Sequence, residues 1–269
     1  MMIDLESKTY LTKENIKNLA PSVFSSKPSN EVSKHYVHIP TERVIDDMEV
    51  LGWKVADAKE VNARTNGTRG FQKHLLVFRN DEIVINGGDG DTVFPQILLT
   101  NSHDGKNAFT FTAGLFRMIC SNGLVISTQE FGSVKVRHMG YNFEKIQETI
   151  KEIVDQLPLT VESMNKMKAT ELNQEKALDF ARKALNTRFS DKELSRIEID
   201  IMELLNPVRK EDEGKDLWSI FNVVQEKIIE GDFEYQAAGK SRKAREIKNF
   251  KQDINVNEKL FDLALEYVS

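Results

Sequence analysis

The chain has 269 residues, 40% of them hydrophobic and 29% charged, with a formal net charge of -5. That length allows one large domain or two of ordinary size, and the composition excludes both a disordered chain and a set of long apolar membrane spans. The lone cysteine, Cys120, excludes an internal disulfide and cannot alone build a structural zinc site, while the net acidity argues against a surface that is wholly a phosphate clamp.

The opening MMIDLESKTYLTKENIK has no apolar core behind a basic leader, so a cytoplasmic protein with no membrane partner is expected. Residues 1–30 read as an arm, with a short polar helix over Thr12 to Leu19 and breaker chemistry from Pro21 through SSKPSNE. HYVHIPT reads as extended. TERVIDDMEVLG places Val44, Ile45, Met48 and Leu51 on one helical stripe that Gly52 stops. WKVADAKEVNAR and FQKHLLVFRN read as strands joined by the turn-rich TNGTRG; in the second, His74, Leu76 and Phe78 share one face and Lys73, Leu75, Val77 and Arg79 the other. NGGDGDT is a loop that lacks the lysine and following helix of a phosphate loop.

PQILLTN and FTFTAG read as adjacent antiparallel strands, with Phe109, Phe111 and Ala113 alternating against Thr110 and Thr112. RMICSNGLV fits both a short helix ended by Gly123 and a turn through Asn122 and Gly123. GSVKVRHMG reads as a further strand carrying Lys135, Arg137 and Met139 on one side. NFEKIQETIKEIVDQL then turns to a helical period, capped by Asn142, with Ile146, Ile150, Ile153, Val154 and Leu157 on one stripe. Beyond Pro158 nearly everything reads as helix: VESMNKMKATEL, QEKALDFARKALNTRF, DKELSRIEIDIMELL, DLWSIFNVVQEKIIEG and NEKLFDLALEYV. The predicted class is therefore α+β, a strand-rich antiparallel domain over 31–157 and a helical region over 158–269 packed on or beside it.

The corner NSHDG, between PQILLTN and FTFTAG, admits two readings. His103 and Asp104 with His74 or His138 have the chemistry of a transition-metal site, but no close pairing of ligands supports it. As a turn, Asp104 and Gly105 make the bend and Asn101, Ser102 and His103 hold it through hydrogen bonds, which is the expected reading. Cys120 with His103 or His138 as base resembles a nucleophile pair, yet a cysteine in an apolar segment is usually a small core residue. Arg117 beside it needs an anionic partner, either an acid such as Asp104 or a bound phosphate.

Lys73, Arg79, Lys135 and Arg137 fall on predicted neighbouring strands, where alternation can gather them on one basic face. The run KSRKAREIKNFK carries Lys240, Arg242, Lys243 and Arg245 and reads as a phosphate-binding helix or loop, although charge runs are usually just solvated. No nucleotide-loop, serine-hydrolase or zinc-protease motif appears.

APSVFSSKP, HYVHIPTERVIDDMEVLGWKV, KHLLVFR, ILLTNSHDG, GLFRMICSNGLV and VKVRH together resemble, in order, a phage-, prophage- and plasmid-borne family known as domain of unknown function nine-three-two. EDEGKDLWSIFNVVQEKIIEGDFEY and INVNEKLFDLALEYV extend the resemblance over most of the chain. It implies a mobile-element setting of DNA metabolism or host conflict in a bacterial cytoplasm. It also marks Lys73, His74, Asn101, Ser102, His103, Asp104, Gly105, Arg117, Cys120, Asn122, Gly123, Arg137 and His138, with Asp216, Trp218, Asn222, Gln225 and Glu226 in the helical half, as family-motif positions. The leading expectation is a non-enzymatic nucleic-acid-binding protein without a cofactor, a single-strand DNA binder or annealing factor acting as a homo-oligomer. The rivals are a metal-dependent nuclease or hydrolase using His103 and Asp104, and a non-catalytic inhibitor of a host defence protein.

Overall fold

A computed structural model describes residues 10–63, 68–83, 85–86, 92–117, 123–125, 134–136 and 142–268. The chain divides into two compact units, one gathering Met1–Ile85, Val93–Phe116 and Gln129–Gln156, the other Asn86–Thr92, Arg117–Thr128 and Leu157–Ser269. The fold is α+β, with an antiparallel sheet in the N-terminal half and helices in the C-terminal half. Among the described residues no helix is long and apolar enough to cross a membrane.

Helix α1 (Lys13–Leu19) starts at Thr12, whose side chain accepts from the Asn15 amide while Asn15 answers back, a capping box that satisfies donors a short helix leaves open. Helix α2 (Thr41–Val50) follows the predicted stripe, and Gly52 after it sits at φ 82°. Strands β1 (Lys54–Glu60), β2 (His74–Arg79), β3 (Ile85–Asn86), β4 (Thr92–Asn101), β5 (Phe109–Arg117), β6 (Gly123–Val125) and β7 (Val134–Val136) come next. Within the first unit the order β1-β2-β4-β5 is antiparallel, and β7 pairs with β5 through Phe109↔Val136, Thr110↔Lys135 and Phe111↔Val134. The β1 register slips between Val55 and Asp57, the irregularity of a bulge.

The pairs Val55↔Phe78, Leu76↔Leu99 and Phe78↔Ile97 place one set of alternating residues on a single face, continued by Phe109 and Phe111. That face is the core: α1 adds Ile16, α2 adds Val44, Ile45 and Met48, and helix α3 (Phe143–Ala169) adds Ile146, Ile150 and Ile153. Each fully buried side chain of this size stabilises by about 1.5–3 kcal/mol. The segment expected to be an arm is part of this core, with Ile16, Ala20 and Val23 buried. The α3 helix runs through Pro158 and joins NFEKIQETIKEIVDQL and VESMNKMKATEL, two stretches that the sequence reads as separate helical segments, into one element.

The second unit contains helix α4 (Gln174–Arg188), the short helix α5 (Asp191–Leu194), strand β8 (Ile197–Ile199) and a 3-10 turn at Ile201–Leu205. Helix α6 (Leu217–Glu226) runs into a π-helical turn at Lys227–Gly231, strands β9 (Glu234–Ala237) and β10 (Lys240–Lys243) form a hairpin, and helix α7 (Phe250–Leu265) follows. Phe180, Phe221, Phe233 and Phe261 are fully buried among these elements. Two expectations are corrected here. DKELSRIEIDIMELL is not one helix: Asp200 accepts from the Met202 amide and caps the 3-10 turn, so β8 stands apart from it. KSRKAREIKNFK is neither helix nor simple loop at its start, because Lys240–Lys243 is the edge strand of a three-stranded sheet ordered β10-β9-β8.

Candidate nucleic-acid interface

In the first unit the NSHDG corner is a turn held by its own polar groups. The Asp104 carboxylate accepts from the Ser102 hydroxyl at 2.6 Å and the Lys106 amide at 3.0 Å, and the Ser102 amide donates to Asn101 Oδ1 at 2.8 Å. Gly105 turns the chain at φ 72°, where a Cβ would stand 3.2 Å from Val32 Cγ1. The bend also ties down a distant segment: the Tyr36 hydroxyl donates to the Ser102 carbonyl at 3.0 Å and the Ser29 amide to the His103 carbonyl at 2.8 Å. Burial, with the Asp104 carboxylate nearby, pushes the Tyr36 phenol up to about 12.

Asn101, Ser102, His103 and His74 are all buried. Asn101 Nδ2 donates to Thr41 Oγ1 at 3.0 Å, Thr41 Oγ1 lies 2.9 Å from His74 Nε2, and His74 Nδ1 lies 2.9 Å from Ser22 Oγ and 3.1 Å from the Gln72 carbonyl. The Gln72 carbonyl can only accept, so the proton of His74 sits on Nδ1, and the Thr41 hydroxyl, which accepts from Asn101, donates to Nε2, a tautomer inferred from the network. Burial holds the ring neutral, its pKa lowered from 6.5 to about 4. The rings of His38 and His103 stand 4.6 Å apart and those of His74 and His103 5.2 Å apart. Among the described residues no three His, Cys, Asp or Glu groups are placed to hold a metal ion. What this arrangement does is clasp Ser22, Thr41 and the corner onto β2 and β4.

Lys73 and Arg79 are half-buried and lie on the sheet face opposite the core, and the backbone of Lys135 pairs with that of Thr110. Between them lie Leu75, Val77, Leu98 and Thr100, all buried, so the centre of that face is not an open basic surface. Asn122, Arg137 and His138, with Cys120, lie outside the described residues, as do the side chains of Arg117 and Lys135.

In the second unit the α6 motif residues bond locally. Asn222 donates to the Trp218 carbonyl at 2.7 Å and Gln225 to Asn257 Oδ1 at 2.7 Å. Asn257 in turn donates to Asp253 Oδ1 at 2.7 Å, so the buried amides of α6 and α7 satisfy one another. Trp218 stacks on Phe221 at 6.0 Å and Glu226 takes a two-pronged ion pair from Arg209 at 2.5 and 2.7 Å. These are packing contacts, not an open site.

The basic hairpin is different. Lys240, Ser241, Arg242 and Lys243 are all exposed, and Arg245 beyond them is exposed too. Its two-residue turn has Ala238 at φ 51° and Gly239 at φ 71°, the doubly positive geometry that matches strand twist. The pairings Arg242↔Tyr235↔Ile199 and Lys240↔Ala237↔Ile197 put two cations and a half-buried apolar strip on one face. Lys243 lies on the other face and is paired with Asp232 at 2.8 Å, and Ser241 there bonds Glu234 at 2.9 Å. The base is clamped by Arg188, which donates to the carbonyls of Ile228 and Arg245 and lies over the ring of Phe233 at 5.8 Å. Gly231, at φ 75°, is required beside it, since a Cβ would stand 2.5 Å from the Arg245 carbonyl carbon. Sequence reasoning missed Tyr235 and Arg188; the alternation of Phe233, Tyr235 and Ala237 was the available signal for the first.

Residues 29–261 match the pattern described as Domain of unknown function (DUF932), a stretch that includes both the corner and the hairpin. Two proteins of Escherichia coli (strain K12) are similar over 255 residues each: UPF0380 protein YafZ at 31% identity and UPF0380 protein YfjQ at 30%, each alignment covering 94% of this chain and 90% of the relative. No solved structure matches. With nearly the whole chain aligned to these relatives and its motifs in the family's order, this protein belongs to the DUF932 family.

Proposed function

We propose that the protein binds single-stranded DNA through the β9–β10 hairpin, in the phage- and plasmid-borne DNA metabolism to which the family resemblance points, with strand annealing by an oligomer as the activity that such binding serves. The observation that carries this reading is the exposure of Lys240 and Arg242 on an edge strand, with Arg245 just beyond it. A row of cations on an edge keeps two such edges from pairing with each other, because like charges would face across the new ladder. The same row suits a polyanion, whose condensed counterions are released on contact.

Fluorescence anisotropy with a labelled single-stranded oligonucleotide across a salt series tests the reading. Affinity is expected to fall as salt rises, with a log–log slope of roughly -2 for three phosphate contacts at about 0.7 each. The double variant Lys240→Ala, Arg242→Ala is expected to lose affinity and flatten that slope. Binding that ignores salt, or that survives the double variant unchanged, overturns the hairpin as contact element.

A further inference from the structure

We infer that Tyr235 is a base-stacking residue and that the hairpin therefore takes a nucleic-acid strand with unpaired bases; this rests on the proposed function and names its ligand class. The two faces of the small sheet are chemically unlike. One carries Ser241, Lys243, Glu234, Gln236 and Glu198, polar and partly acidic. The other carries Lys240 and Arg242 beside Tyr235, Ala237, Ile197 and Ile199, and so joins exposed cations to an apolar surface.

Tyr235 sits where that surface emerges. One step toward the base, Phe233 and Ala244 are buried and their backbones are bonded at 2.9 Å; one step toward the tip, Lys240 is exposed and Ala237 half-buried. Tyr235 is half-buried between them. A half-buried ring gives up less rotamer freedom when a ligand lands on it than an exposed one does. Arg242 is its direct cross-strand neighbour, close enough to meet the phosphate of a nucleotide whose base lies on the ring. Paired bases in a duplex are stacked inside the helix and offer no free face. A duplex can engage only Lys240, Arg242 and Arg245 through its backbone, so the ring is what makes the site prefer single strands.

The test uses the full chain with one oligonucleotide presented as a single strand and as a blunt duplex. Tyr235→Ala is expected to weaken single-strand binding about tenfold while leaving duplex affinity and the salt slope unchanged. Tyr235→Trp is expected to keep single-strand affinity, and its added indole emission to be quenched by the single strand and not by the duplex. Circular dichroism and thermal midpoints of all variants keep folding losses separate. Equal losses for both ligands in Tyr235→Ala, or no quenching in a Tyr235→Trp protein that binds, overturn the stacking assignment. If Tyr235→Ala changes nothing while Lys240→Ala with Arg242→Ala abolishes binding, the hairpin is purely electrostatic and only this inference fails. If the native protein binds neither ligand, the proposed function fails with it.

Discussion

His74 shows what a buried titratable residue does when it serves packing. Its two ring nitrogens hold Thr41 on one side and Ser22 with the Gln72 carbonyl on the other. The folded state keeps the ring neutral, with a pKa of about 4 against the ordinary 6.5. Between those values the unfolded chain binds the extra proton, so stability rises with pH across the window and is lost as pH falls from about 6.5 toward 4. The full shift corresponds to roughly 3 kcal/mol. Thermal or urea unfolding from pH 7 to pH 4.5 is expected to show this loss, and His74→Gln to show a flatter profile from a starting point lower by about 1–3 kcal/mol, since one hydroxyl loses its partner. Parallel profiles for the two proteins would remove His74 as the source. The corner itself was legible because Asp-Gly marks a bend. The histidine's role was not, since Ser22 and Thr41 stand 52 and 33 residues away in sequence and only the tertiary fold brings them to the ring.

Elements with one dominant period were read correctly, and those with two competing periods were not. Phe109, Phe111 and Ala113 alternate cleanly and form β5; Val44, Ile45 and Met48 have no strand alternative and form α2. In LSRIEIDIMELL, by contrast, Ile197 and Ile199 fit a strand while Leu194, Ile197, Ile201 and Leu204 fit a helix, and the Asp200 cap decided in favour of β8 followed by a turn. The hairpin was hidden for a related reason, because its turn is Ala238-Gly239 and lacks the Asn-Gly or Asp-Gly signature. Two glycines of this element separate conformational strain from collision. Gly239 has φ 71° and open space around it, so Gly239→Ala is expected to cost about 1 kcal/mol from the left-handed backbone alone. Gly231 adds a Cβ position 2.5 Å from backbone, so Gly231→Ala is expected to cost about 3 kcal/mol or more. Urea denaturation measures both; equal costs would mean that the base of the hairpin relaxes freely despite the Arg188 clamp.

For the whole molecule, the question is whether a chain of net charge -5 can bind a polyanion by its overall field or only by a local patch. At 0.1 M salt, charges more than about 10 Å from a phosphate are largely screened, so the field that matters belongs to the nearest side chains. The hairpin offers Lys240, Arg242 and Arg245 to solvent, whereas the exposed lysines of the long helices alternate with acids, as in the Glu162–Lys166 and Asp179–Lys183 pairs. Two double charge reversals separate these cases. Lys240→Glu with Arg242→Glu removes the patch. Lys151→Glu with Lys176→Glu makes the same change in net charge on exposed positions of α3 and α4. The first is expected to abolish single-strand binding at every salt concentration, the second to leave affinity at 0.15 M within about twofold, with a visible penalty only at low salt where screening is weak. Equal weakening by both would assign the interaction to net charge and deny the hairpin its special place. Loss in the hairpin variant alone would explain how an acidic protein selects an anionic ligand, by a strand edge that its own copies repel.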